Sequence, residues 1–265
     1  MSFGGSMICQ RCRQFAASTP DGLCSVCADA PAPAPVPMSV GTMTPPHGPA
    51  WLRSPVGLGK AAAVLLGVVA AADLFALWAD IRMSDVAGAI ADGDLSEARQ
   101  SQADSVDALY SVAGIAQTSA LVAAIVVYLI WFQRVRVNAE VFNPFGHSKK
   151  RGWAVGGWFV PVVNLWFPRR IMLDIWDASS PAGRGRHGLV NAWWTLWIMS
   201  LVADRAGFTA YRRAETAQEI HDAASQVMFA DALDLAAAVL ASLVVLRLTR
   251  MQNEKALRGP VPAAV

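Results

Sequence analysis

The chain has 265 residues, of which 54% are hydrophobic and only 16% charged, and its mean hydropathy is +0.36. Soluble domains carry about 25% charged residues and bury shorter, amphipathic apolar runs, so this composition argues against an ordinary water-soluble enzyme. A formal net charge of +2 supplies no global field for nucleic acid.

The first apolar run starts near Val56, too far along for a secretory signal, so residues 1–55 are expected in the cytosol. All four cysteines lie there, where a reducing environment disfavours disulfides. Cys9-Gln-Arg-Cys12 and Cys24-Ser-Val-Cys27 form two C-x₂-C pairs separated by 11 residues. Each such turn presents two thiolates on one face, and two turns complete a tetrahedral zinc site. A head of about 30 residues is too small to fold on apolar burial alone, so a structural zinc would supply its stability. It reads as a zinc-ribbon-like knuckle over 1–30, lacking the glycine that commonly follows each pair. It serves either as a docking module for a cytosolic protein or as a metal-held knob. A redox C-x-x-C is less well supported, because no βαβ pattern flanks it. Arg11 and Arg13 are the only basic residues of the head, too few for a nucleic-acid patch.

Residues 31–55 form a Pro/Ala-rich linker. Seven of the twenty residues 31–50 are proline, which favours extended chain without a core. From Val56 to Arg250 the pattern predicts an all-α polytopic membrane bundle, since about 20 apolar residues cross a bilayer. Four spans are expected, over 56–79, 109–132, 188–211 and 223–246, with a cytoplasmic tail at 251–265. A fifth apolar run, Gly152–Pro168, is short and interrupted by Pro161, so it reads as a re-entrant or interfacial segment. The positive-inside rule agrees. Residues 80–108 hold two basic and seven acidic residues, whereas residues 133–152 hold five basic and one acidic. If 152–168 does not cross, every basic segment and both termini face the cytoplasm.

Within that run, Gly157-Trp158-Phe159-Val160-Pro161-Val162-Val163-Asn164 is followed by Pro168 and by Trp176-Asp177. With Trp131-Phe132-Gln-Arg134-Val-Arg136-x-Asn138, Trp193-Trp194 and Arg250-x-Gln252, this resembles an actinobacterial family of multipass membrane proteins, domain of unknown function 4328. The resemblance covers about 55–255. It implies the multipass architecture and agrees with a zinc-ribbon or Pro-rich N-terminus, and no activity comes with it. The segment would either line a pocket or pack as an elbow under the bundle. Trp153, Trp158, Trp166 and Trp176 are expected at the headgroup level, and Arg169 and Arg170 against anionic lipid.

Polar residues inside apolar spans are costly and mark candidate sites. Asp73, Gln117, Asp204, Arg205, Asp231 and Asp234 are expected at similar depth in the outer half of the bilayer, with Asp231 and Asp234 on one helix face. Arg205 is expected to pair with one of the carboxylates. The cluster serves either as a cation, proton or small-solute site or as interhelical glue. Four scattered histidines show no metal spacing, and no nucleophile–base or phosphate-loop pattern is present, so an enzyme is the least supported class. A scaffold or sensor whose zinc head docks a cytosolic partner is the leading expectation, ahead of a small transporter or channel-like protein.

Overall fold

The computed structural model describes residues 8–10, 18–29, 51–181 and 185–259. The chain divides into two compact units, Met1–Thr44 and Pro45–Val265.

In the first unit the chain turns at Gly22, whose φ of +73° suits glycine. The Gln10 amide donates to the Gly22 carbonyl at 2.9 Å, and the Leu23 amide donates to Thr19 Oγ1 at 3.1 Å. A single turn of helix, α1 (Ser25–Asp29), follows Cys24. Cys12 lies outside the described residues, as do 31–50 of the linker.

The second unit is a bundle of long helices. The described elements are α2 (Val56–Ala91), α3 (Glu97–Phe142), α4 (Trp153–Gly156), a 3₁₀ turn (Val163–Leu165), α5 (Phe167–Ser179), α6 (Gly188–Arg213) and α7 (Ala217–Leu257). The four expected spans fall inside α2, α3, α6 and α7. Three of these, α2, α3 and α7, are long and apolar enough to cross a membrane. The 26 residues of α6 reach about 39 Å at 1.5 Å per residue, but Asp204 and Arg205 interrupt its apolar run.

The helices run well past the expected spans. Residues 80–108, read from the sequence as a loop, are mostly helix. Met83, Val86 and Val106, which lie outside the expected spans, pack with Ala224 into an apolar cluster, because their spacing keeps one face of each helix inward. The turn between α2 and α3 is short and fully capped. Gly93, at φ +96°, donates to Ile90, and Asp94 donates to Ala89, which together form a Schellman ending. Ser96 then caps α3 by accepting from the Arg99 amide. At the other extreme α7 continues to Leu257, so the expected tail begins as helix, over residues 251–257. Its start carries a capping box between Thr216 and Glu219.

Helix α2 packs on both α3 and α7, and α7 packs on α6. Gly59 lies against Thr249 and Gly88 against His221, so α2 and α7 are antiparallel. A Cβ at Gly59 would collide with Thr249, and the glycine is what lets the two helices approach there. No comparable interface joins α3 to α6, and the candidate site lies between them.

Residues 152–168 form no spanning helix. They fold into one turn of α4, a series of bends and the 3₁₀ turn. Val162 has φ +68° and ψ −50°, a strained conformation for a β-branched residue. The Val163 amide closes this γ-turn on the Pro161 carbonyl at 2.8 Å. Asn164 contributes its backbone amide, which donates to Val160 at 3.0 Å. Gly157 is required by space, since a Cβ would meet the Trp153 carbonyl at 2.7 Å. Pro168 occupies the first turn of α5, where a missing N–H costs nothing.

Two of the four tryptophans expected at the headgroup level, Trp158 and Trp176, pack into the protein instead. Trp153 and Trp166 are exposed, but Trp176 is fully buried in the main core with Trp131, Phe132 and Ile171. Trp158 points inward and makes edge contacts with Tyr128, Trp194 and Trp197. Aromatic bulk found better packing inside the protein than at an interface.

Candidate intramembrane cavity

A cavity of ≈ 500 Å³ lies between α3 and α6, backed by α2 and α7 and floored by Trp158 and Phe159. Its polar end brings together Asp73 from α2, Gln117 from α3, Asp204 from α6, and Asp231 and Asp234 from α7. Its other end is aromatic, with Tyr128, Trp158, Trp193 and Trp197.

The carboxyls are held mainly by one another and by neutral donors. Gln117 Nε2 donates to Asp73 Oδ1 at 3.2 Å and to Asp231 Oδ1 at 3.0 Å, which spends both amide hydrogens. Asp234 lies beside Asp204 and Ser200, and Ser200 Oγ itself donates to the Trp197 carbonyl at 3.0 Å. Asp231 lies beside Asp80.

Three buried polar atoms around the cavity have no hydrogen-bond partner: Asp73 Oδ2, Tyr128 OH and Trp158 Nε1. Asp73 is 3% exposed and Tyr128 9%. Buried polar groups are normally satisfied, and unpaired ones cost free energy, so such atoms around a cavity mark a place for a ligand or water. No Lys, Arg or His among the described residues lines the space.

Arg205 corrects the sequence expectation. It is exposed and forms no ion pair among the described residues. Neighbouring helical residues point about 100° apart, so turning Asp204 into the cavity turns Arg205 away from it. Asp80, only 1% exposed, lies one residue beyond the expected span, which ends at Ala79, and so falls outside the sequence-based cluster. The signal was present: Asp80 lies seven residues after Asp73, two helical turns on and on the same face.

A second buried polar network lies where α3, α5 and α7 meet. Arg136 and Glu140, both nearly inaccessible, pair at 2.6 Å. Arg151 also pairs with Glu140, and Arg136 Nη2 donates to the Lys149 carbonyl at 2.7 Å. Asn138 binds the Arg53 backbone in both directions, at 2.9 and 2.7 Å. It also donates to Gln252 at 3.1 Å, and Gln252 donates to Val135 at 2.9 Å and to Ser179 at 3.2 Å. Trp131 Nε1 donates to Thr249 at 2.9 Å.

In the head, the Sγ atoms of Cys9, Cys24 and Cys27 lie within 4.8 Å of one another, and Cys9 and Cys24 are buried. Zn–S bonds of about 2.3 Å place the sulfurs of one tetrahedron roughly 3.8 Å apart, so these three thiols fit a shared metal.

Long apolar helices enclosing a polar cavity, with an interrupted segment as its floor, define a polytopic membrane helix bundle. The chain belongs to the family described as Domain of unknown function (DUF4328), which matches residues 92–250. No curated protein matches the chain, and no solved structure does. The family match begins at the α2–α3 turn, later than the resemblance suggested. It therefore contains Gln117, Asp204, Asp231 and Asp234 but not Asp73 or Asp80.

Proposed function

We propose that the chain is an integral membrane protein that takes a small solute into the cavity between α3 and α6. The observation that carries this reading is the unpartnered Asp73 Oδ2, buried in a space lined by carboxyls and by no basic side chain among the described residues. In this reading α6 crosses the bilayer with α2, α3 and α7. Residues 152–168 are re-entrant, both termini are cytoplasmic, and Arg205 meets lipid headgroups by snorkelling. The role is binding or transport rather than catalysis, a reading supported by Ser200 Oγ, which donates to the Trp197 carbonyl at 3.0 Å instead of to a base.

Cysteine placed at Ala237, a cavity-lining position, tests it. With the protein in vesicles, a cationic methanethiosulfonate should label position 237 at least about tenfold faster than an anionic one, read by peptide mass. The combination of Asp231→Asn and Asp234→Asn should erase that preference. No labelling of position 237 by either reagent would mean that solutes do not reach the cavity, and the reading would fail.

The head supports a second reading. The three clustered thiols favour one structural zinc, with Cys12 as the fourth ligand, in a module that docks a cytosolic protein. Purified chain should carry one zinc per molecule by native mass spectrometry, and Cys24→Ser should lose it while the bundle's helicity is retained. A chain purified without metal chelators that holds no zinc would remove this reading.

A further inference from the structure

The two ends of the cavity differ in chemistry, and that difference bears on what it takes. Resting on the reading above, we infer that the ligand is a monovalent organic cation with an apolar body, an alkyl- or arylammonium, admitted sideways from the bilayer between α3 and α6.

The charge of the site selects the head of this ligand. Asp73, Asp204, Asp231 and Asp234 face the space and no side-chain cation does. Both hydrogens of Gln117 are committed to Asp73 and Asp231, so Asp73 Oδ2 awaits a donor or cation from outside the chain. An anion would meet four carboxyls at the polar end, with the Trp158 Nε1 and Tyr128 hydroxyl donors lying at the aromatic end.

The rest of the cavity selects the body. A metal ion coordinated by several carboxylate and water oxygens would fill the polar end and leave the aromatic end empty. Indole and phenol faces accept both apolar surface and the fringe of positive charge around an ammonium. A space of ≈ 500 Å³ is within the range of small-molecule sites, about 300–1,000 Å³.

The mouth selects the route. The gap between α3 and α6 is bounded at one end by the stacked rings of Tyr110 and Tyr211, 5.1 Å apart. At the other end it is bounded by Tyr128 and Trp193, 6.3 Å apart. Between them Leu121, Ile125 and Leu201 line the cavity and are also exposed. This rim is apolar and opens toward the lipid-facing side of the bundle, so it favours a ligand already dissolved in the bilayer. Simple inorganic cations do not partition there.

The full chain in phosphatidylcholine nanodiscs provides the test, with N-octylpyridinium as the probe, since its ring quenches indole fluorescence. Saturable quenching is expected from the cavity tryptophans. Tetramethylammonium and octyl sulfate at tenfold excess should not compete. Asp73→Asn should weaken binding at least tenfold, and Asp234→Asn, measured in parallel, should do so if the first variant fails to fold. Equal competition by 1-octanol together with no effect of either Asp substitution would overturn the inference in favour of a neutral lipid. Equal competition by tetramethylammonium would overturn it in favour of a hydrophilic cation. Absence of saturable quenching, with position 237 still labelled selectively by the cationic thiol reagent, would sink the amphiphile alone and leave the solute-binding reading standing. Absence of both signals would remove the reading as well.

Discussion

The bundle buries two polar clusters that obey opposite rules. At the α3–α5–α7 junction, Glu140 is flanked by Arg136 and Arg151, and Asn138 and Gln252 exchange hydrogen bonds with backbone and with each other. Glu140 there answers both arginines and the amides of Asn138 and Gln252 are spent, as expected of buried ions kept for structure, although both ring nitrogens of the adjoining His147 are buried without a partner. In the cavity between α3 and α6, carboxyl meets carboxyl, no cation answers them, and Asp73 Oδ2, Tyr128 OH and Trp158 Nε1 are left over. Folding alone has no use for such an arrangement. The comparison teaches that a buried polar cluster is read by its balance, not by its polarity.

The largest expected effect comes from breaking the balanced cluster. Glu140→Ala leaves two arginines facing each other with one of them buried, and should destabilise the bundle by about 3–5 kcal/mol, seen as a loss of folded protein in thermal unfolding. Asn138→Ala should cost about 2–3 kcal/mol, because the Arg53 backbone and Gln252 lose partners together. By contrast, Asp73→Asn in the cavity should change stability by no more than about 1 kcal/mol in either direction. It removes a like charge and keeps an oxygen for Gln117. If Asp73→Asn destabilised the bundle as much as Glu140→Ala, the two clusters would be the same kind of object and the comparison would fail.

The smallest effect sharpens the same contrast through pH. His147 lies beside the balanced cluster, where burial and then the Arg136 charge hold it below its ordinary value of 6.5, against opposing pulls from Glu140 and Asp174. The unfolded chain therefore binds this proton at higher pH than the folded one. Stability is complete above about 6.5 and is lost as the pH falls toward the depressed folded value. Melting temperature recorded between pH 7.5 and 5.5 should fall, and His147→Gln should flatten part of that slope. An unchanged slope would mean that His147 takes up its proton alike in the folded and the unfolded chain over this range.

Much of the architecture was legible because the bilayer acts as a solvent read through local composition. A run of about 20 apolar residues predicts a helix wherever it occurs, and all four expected spans lie within helices. Thiol spacing was equally local: Cys9, Cys24 and Cys27 are brought together as the C-x₂-C pattern suggested. The ends of helices were not legible. Charge along 80–108 looked like a loop, but Met83, Val86 and Val106 carry α2 and α3 onward with a polar face to solvent.

Sequence by itself determined the helical bundle, the order of its long segments, the break at Pro161, and the residue types able to make a metal site or an acidic cluster. These follow from the hydropathy of contiguous residues and from ligand chemistry, which do not depend on neighbours far along the chain. Only the tertiary structure decided which polar groups meet. It turned Asp204 inward and Arg205 outward, and it drew Asp80 onto Asp231. It also inserted Trp158 between α3 and α6, and left Asp73 facing an open space. Those outcomes depend on helix rotation and register between segments more than 100 residues apart, as in Gln117 and Asp231, separated by 114. Register is set by packing, exemplified by Gly59 against Thr249, and no local pattern encodes it.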